Sequence, residues 1–280
     1  MKVISVVGHK KSGKTTLVLQ LVKALSRIGS VGTVKHMIYH RFNPKDTDTG
    51  KHFEAGAEVV MAITENELVT IKHKPSTEMT SLEKSLDALA DSGMDFAVVE
   101  GDKESSHPKI LLGEYTDTQL SNVVARLPAN ADWDIDELVK LTCAQPEWVT
   151  LDHLIKKVRK NPEIKKAGAI GTFTGIVREY SGKIQTRMLE FEKYESMADE
   201  SISRICAELK QKEGILDVLI HHRVGRIDPG EDIVYIVVAS SHRTQLFPIL
   251  SEAIERVKSE VPIWKKELTI DGEFWVHDHA

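Results

Sequence analysis

Eight residues near the start of the chain, Gly8-His9-Lys10-Lys11-Ser12-Gly13-Lys14-Thr15, fit the phosphate-loop pattern GxxxxGKS/T. The spacing has a physical reason. Glycine lets the backbone wrap closely round phosphate with its N–H groups turned inward. The N-terminus of the following helix adds partial positive charge. Lys14 is placed to reach the terminal phosphates, and the Thr15 hydroxyl to bind Mg2+. Gly8, Lys11, Ser12, Gly13, Lys14, Thr15 and Thr16 are therefore the predicted nucleotide-binding residues. Such a loop also needs a carboxylate at the end of a neighbouring parallel strand to help hold the metal. Glu100, which closes the apolar run Phe96-Ala97-Val98-Val99, fits that role, with Asp102 as a second candidate. No NKxD-like motif accompanies the loop, so these residues leave the base open between guanine and adenine.

A second set of reactive residues is cationic and lies in the other half. Arg178 ends the run GTFTGIVR, His242 and Arg243 follow IVYIVVASS, Lys258 falls late in an amphipathic stretch, and Lys265 and Lys266 follow Pro262-Ile263-Trp264. Most stand at the ends of apolar segments, where sites are commonly built. Clustered cations suit an anionic small molecule. Crowded positive charge also lowers a lysine pKa and makes a neutral amine accessible for nucleophilic or proton-transfer work. Lys258 and Lys265 are separated by Pro262, which ends a helix, so they converge only if the chain turns back there.

The elements that must hold these residues differ between the halves. Residues 2–7 read as a buried strand of a parallel sheet. Residues 14–28 read as a helix with Leu17, Leu21, Val22, Leu25 and Ile28 on its apolar stripe and Gly29 as its stop. Further strands are expected at 31–34, 58–63, 68–72, 95–99, 110–112 and 122–125, with helices at 82–89 and 134–141. Residues 36–56 read as a functional loop or short helix. The alternation predicts an α/β domain with a mainly parallel sheet. After about residue 145 the pattern becomes α+β. Strands are expected at 169–178, 187–194, 218–224 and 233–239, helices near 150–158, 197–212 and 246–260, and a hairpin turn at Asp228-Pro229-Gly230-Glu231. Phe173 and Trp264 are read as core residues.

Composition sets the remaining bounds. With 280 residues, two domains are expected, 1–145 and 146–280. A formal net charge of −5 gives no reason to expect nucleic-acid binding, so any anion site must be local. The two cysteines, Cys143 and Cys206, form no CxxC pattern and suit a reducing compartment. Met1 leads straight into a strand, and no stretch of about 18 apolar residues occurs, so a cytoplasmic protein with no membrane partner is expected.

Two resemblances sharpen this reading. The run GHKKSGKTTL, then TVKH at 33–36, the loop at Asp46-Thr47-Asp48-Thr49, EAGAE at 54–58 and VVEGDK at 98–103 resemble molybdopterin-guanine dinucleotide biosynthesis protein B over about residues 1–143. That family is a GTP-binding P-loop protein, accessory to the guanylyltransferase that adds a nucleotide to molybdopterin. The resemblance implies GTP and Mg2+ as ligands and that guanylyltransferase as a partner. Lys35 and His36 match the family's lysine-histidine pair near the nucleotide, and Asp102 stands where the family usually has Phe.

The later segments AGAIGTFTGIVR (167–178), LEFEKY (189–194), IHHRVGRIDPGEDIVYIVVASSHR (220–243) and KSEVPIWKKE (258–267) resemble the large subunit of molybdopterin synthase. The resemblance implies conversion of cyclic pyranopterin monophosphate to molybdopterin. The sulfur would come from a thiocarboxylate on the Gly-Gly terminus of a separate ubiquitin-like small subunit. It places the catalytic lysines at Lys258 and Lys265 and substrate-pocket residues at Arg178, His242 and Arg243, with Lys266 as a weaker anion contact. A homodimer is the usual assembly. The rival reading is a P-loop kinase or regulatory NTPase whose second half only dimerises or binds a partner.

Overall fold

The computed structural model describes residues 1–37, 43–72, 81–114, 120–181, 184–270 and 272–276. The chain forms two compact units, Met1–Trp148 and Val149–Ala280. The division falls three residues beyond the expected one because the intervening segment is bound to the first unit. The Met1 ammonium donates to the Trp148 carbonyl at 3.0 Å, and the Trp148 N–H donates back to the Met1 carbonyl at 2.7 Å.

In chain order the first unit contains β1 (Lys2–Gly8), α1 (Lys14–Leu25), β2 (Val31–Lys35), α2 (Asp48–Glu54), β3 (Val59–Ile63), β4 (Leu68–Lys72), α3 (Ser81–Asp91), β5 (Phe96–Glu100), β6 (Lys109–Leu112), β7 (Val123–Leu127) and α4 (Ile135–Cys143). Five strands form one parallel sheet in the order β2-β5-β1-β6-β7, while β3 and β4 pair with each other as an antiparallel two-stranded sheet. Ile4, Val6, Val98, Ile110 and Leu112 alternate onto the face covered by Leu17, Leu21 and Leu25 of α1. Met1, Val3, Ala97 and Val99 meet Leu86 and Ala90 of α3 on the other. Ile28 was expected on the α1 stripe but is exposed, because the helix stops at Leu25 and the N–H groups of Ser26, Arg27, Ile28 and Gly29 close a terminal turn.

One lysine of the sheet is wholly buried. Lys109 opens β6 beside Ser5 of β1, and its side chain is 0% exposed. The segment 101–108 crosses from β5 to β6 without a helix, so several of its carbonyls lack backbone partners. The Lys109 ammonium donates to the His107 carbonyl at 3.0 Å, to that of Ser121 at 3.3 Å, and to that of Ser105. Lys109→Met keeps the bulk and removes the donors. We expect it to destabilise the first unit by about 1–3 kcal/mol in denaturant unfolding. Unchanged stability would mean that these carbonyls find other donors at little cost.

The second unit contains α5 (Leu151–Arg159), β8 (Ala169–Ile176), β9 (Tyr180–Ser181), β10 (Ile184–Lys193), α6 (Glu195–Lys210), β11 (Ile215–His222), β12 (Gly225–Ile227), β13 (Asp232–Ser240), α7 (Arg243–Glu260), β14 (Ile263–Thr269) and β15 (Glu273–Val276). All its strand pairs are antiparallel, in a sheet β11-β13-β8 and a second sheet β12-β10-β14-β15 with β9 on β10. β13 is the central strand of the first sheet and is buried on both faces. Val234, Ile236 and Val238 pack against α6 and α7, and Tyr235, Val237 and Ala239 against Leu154 and Val158 of α5. The turn Asp228-Pro229-Gly230-Glu231 forms, with Gly230 at φ 88°. It does not close a hairpin, because β12 before it pairs with β10 and β13 after it with β11 and β8. The strand expected at 218–224 begins earlier and ends at His222, and Gly225 at φ 85° then opens β12 in the other sheet. Among the described residues no helix is long and apolar enough to cross a membrane.

Candidate functional site

The phosphate loop lies between the end of β1 and the start of α1, at the carboxyl edge of the parallel sheet. A Cβ on Gly8 would fall 2.7 Å from the Leu112 carbonyl oxygen and 2.8 Å from Ser12 Oγ. Gly13 has φ 93°, and a Cβ there would meet Trp133 at 2.9 Å and Asn130 Oδ1 at 3.0 Å. Only glycine fits either position. A cleft of about 410 Å³ opens over the loop, lined by Lys10, Lys11, Gly13, Lys14, Thr15, Thr16, Glu100 and Asn130.

Lys14 folds over its own loop, donating to the carbonyls of Gly8 at 3.1 Å and His9 at 2.5 Å. Burial lowers its pKa below the usual lysine range, with Glu100 opposing the fall and Lys103 and Lys35 adding to it. The Thr15 hydroxyl donates to Glu100 Oε1 at 2.9 Å, and the Lys35 ammonium meets the same oxygen at 3.1 Å. The N–H of His36 donates to the Glu100 carbonyl at 3.0 Å. Lys35 and His36 thus join the site through Glu100 and are not among the residues lining the cleft.

Asp102, the second metal candidate, does not line the cleft. Its charge acts on Lys109 and His107 instead, and its Oδ2 is buried without a hydrogen-bond partner among the described residues. Two lining residues went unpredicted. Lys10 occupies one of the variable positions of the loop pattern, where no residue type is expected. Asn130, at φ 50°, donates from Nδ2 to the Lys11 carbonyl at 3.0 Å and from its backbone to the Ser12 carbonyl at 3.2 Å. The only hint of Asn130 in the sequence is the polar turn Pro128-Ala129-Asn130 after an apolar run.

The cationic residues of the second unit separate into two groups. Ile176 lies opposite Asp232 and Ala169 opposite Ser240, so Arg178 stands at the end of the sheet where β13 begins. α7 follows β13 and packs back along it, with Leu246 and Leu250 over Gly171. This carries Lys258, in the last turn of α7, toward that same end, and Lys265 follows two residues into β14. His242, the residue preceding α7, and Arg243, its first residue, lie at the other end. The helix has 18 residues, so Arg243 and Lys258 stand about 20 Å apart along it. One chain therefore does not gather the five residues.

Lys258 is exposed, and its ammonium meets Glu255 at 3.4 Å. Lys265 sits opposite Phe191 and Lys266 opposite Glu190, so the two point to opposite faces of the sheet. Glu273 pairs with Lys266 and holds its ammonium above the usual lysine range, which suits a fixed cation and not a nucleophile. Phe173 and Trp264, expected in the core, are 38% and 49% exposed. Phe173 shares its face of β8 with Gly171 and Gly175, and a Cβ on Gly175 would lie 3.7 Å from its ring, but Leu246 and Leu250 reach only as far as Gly171 and leave the ring partly open. Trp264 lies on the face of β14 opposite the core residue Ile263.

Over 280 residues the chain is 35% identical to a probable molybdopterin synthase of Haloferax volcanii, covering 99% of this chain and 100% of that protein. The chain belongs to the molybdopterin synthase family. Residues 3–127 match the family model for molybdopterin guanine dinucleotide synthesis protein B, and residues 144–260 that for MoaE protein. The second half is also 44% identical over 130 residues to the molybdopterin synthase catalytic subunit of Bacillus subtilis, covering 46% of this chain and 80% of that one. A solved molybdopterin synthase from Staphylococcus aureus is 38% identical, covers 40% of this chain and 82% of its own, and has a TM-score of 0.39. The function of this family member is in molybdenum-cofactor biosynthesis, with a synthase half following a protein B-like half.

Proposed function

We propose that the second unit is a working sulfurtransferase. It converts cyclic pyranopterin monophosphate to molybdopterin, taking sulfur from the thiocarboxylated terminus of a separate ubiquitin-like small subunit. The reading is carried by one observation: Lys258, Lys265 and Arg178 share one end of the unit. There an amine and two further cations can face an anionic substrate. Lys258 attacks or orients the intermediate formed between thiocarboxylate and substrate, and Lys265 donates a proton or anchors phosphate, whereas Lys266, on the opposite face of β14 and paired with Glu273, is left out of this site. His242 and Arg243 lie at the far end of the same helix. A homodimer in which each copy lends His242 and Arg243 to the other's Lys258 and Lys265 completes the set.

The first unit binds GTP with Mg2+ and assists the later attachment of guanine nucleotide, with a guanylyltransferase as its partner. Two features support a phosphate ligand. The cradle at Gly8 and Gly13 excludes any side chain, and Ser12 Oγ is buried beside it with no hydrogen-bond partner among the described residues. Gly8, Lys11, Ser12, Gly13, Lys14, Thr15 and Thr16 would hold the phosphates. Thr15 and Glu100 would hold Mg2+, which is commonly bound by one or two protein oxygens together with phosphate and water. The bound cation would neutralise phosphate charge.

The test is reconstitution. The full chain is mixed with thiocarboxylated small subunit and cyclic pyranopterin monophosphate, with and without GTP, and molybdopterin is read by fluorescence after oxidation. Product without GTP is the expected result. No product, with the small subunit bound, would favour the P-loop NTPase reading with a non-catalytic second half.

A further inference from the structure

Glu100 concentrates two contacts on a single oxygen. Its Oε1 accepts from the Thr15 hydroxyl and faces the Lys35 ammonium. Neither partner arrives by way of a flexible loop. Lys35 is the last residue of β2 and lies opposite Glu100 in the parallel register of β2 and β5. The His36 N–H fixes the Glu100 carbonyl from the same strand end. The Glu100 side chain is 13% exposed and that of Lys35 is 52% exposed. A carboxylate so far removed from water is costly to keep charged unless a cation faces it. Lys35 supplies that cation from the sheet, while its tail remains in solvent and free to leave.

A divalent cation held by Thr15 and Glu100 makes a claim on the same carboxylate. Two cations crowded on one oxygen repel each other. Resting on the reading that the phosphate loop binds a Mg2+-nucleotide, we propose that Lys35 is a placeholder for the divalent cation. It keeps Glu100 neutralised and seated on Thr15 when no divalent cation is bound, and it yields the carboxylate to Mg2+ when the nucleotide brings one. Lys14 is not equivalent, since its ammonium is tied to the Gly8 and His9 carbonyls of its own loop. The consequence is a site whose nucleotide affinity is cushioned against loss of Mg2+, because an ammonium stands in for part of the missing charge.

The test measures coupling between metal and nucleotide. A fluorescent guanosine triphosphate is titrated into the full chain in saturating Mg2+ and in EDTA, for wild type, Lys35→Met and Lys35→Arg. The ratio of the two dissociation constants should rise by at least about ten-fold in Lys35→Met. The rise should come mainly from weaker binding in EDTA, and Lys35→Arg should retain the wild-type ratio. In parallel, Mn2+ is titrated without nucleotide and followed by electron paramagnetic resonance. Lys35→Met should bind it more tightly than wild type. An unchanged ratio overturns the proposal. So does equal weakening in both conditions, which would make Lys35 a plain phosphate contact. If wild type binds no nucleotide at all, the phosphate-loop reading fails by itself. The Mn2+ titration then still decides on Lys35, and unchanged Mn2+ affinity overturns its role.

Discussion

Lys258→Ala in the full chain should lower molybdopterin formation by at least about a hundred-fold, the usual scale for losing a nucleophile or a positioned proton-transfer group. The fold should survive. Lys258 is exposed in the last turn of α7, while the neighbouring Val257 supplies the buried contact that docks the helix. Lys258→Arg should not restore the rate, because a guanidinium stays charged and cannot serve as a neutral amine. The separation of Arg243 and Lys258 along α7 adds a sharper outcome. Arg243→Ala alone should also be impaired. Co-expression of the two variants should regain activity, because one of the two sites in a mixed dimer is then built wholly from intact residues. Wild-type activity in Lys258→Ala would remove the lysine from the chemistry. Failure of the mixed dimer to recover would mean that Arg243 and Lys258 do not act in a shared site.

The second large effect belongs to the phosphate loop. Lys14→Ala should weaken GTP binding by about 3 kcal/mol, or roughly a hundred-fold, since it removes a desolvated cation from a preorganised anion site. Its present partners are the Gly8 and His9 carbonyls of the same loop, so little beyond the loop depends on it. Isothermal calorimetry on the full chain measures the affinity. Molybdopterin formation by the same variant should match wild type, because the chemistry assigned to Lys258 and Lys265 does not use the nucleotide. Equal nucleotide affinity in variant and wild type would mean that the cleft binds through other residues, Lys10 and Lys11 first among them.

Local chemistry was legible wherever neighbours in the chain are neighbours in space. A phosphate loop is one strand end, one turn and one helix start, so its spacing in the sequence is already its geometry. Glu100 could be named because a carboxylate closing a buried run must emerge at the carboxyl edge of the sheet, where Thr15 also lies. The character of each half followed from the same local rules. β1 and β5 are continuous apolar runs because helices cover both faces of their sheet, and β10 alternates because it does not have that cover.

Residues separated in sequence needed the fold. Asn130 holds the phosphate loop across more than a hundred residues, and nothing in its own surroundings announces that contact. Lys109 reads as a polar residue at a strand edge, yet it is buried, because the crossover beside it leaves carbonyls that an ammonium can satisfy. The turn at 228–231 was visible, but which strands it joins was not, since turn chemistry is local and pairing is set by burial elsewhere. The cationic set is the plainest case. Six cationic residues and their positions along the chain stand in the sequence. Whether they meet depends on the length and direction of α7, which holds Lys258 beside the start of β14 and carries Arg243 to the opposite end of the sheet. A sequence states which groups are available for chemistry; distance between them is decided only when strand order and helix direction have been chosen by the packing of the core.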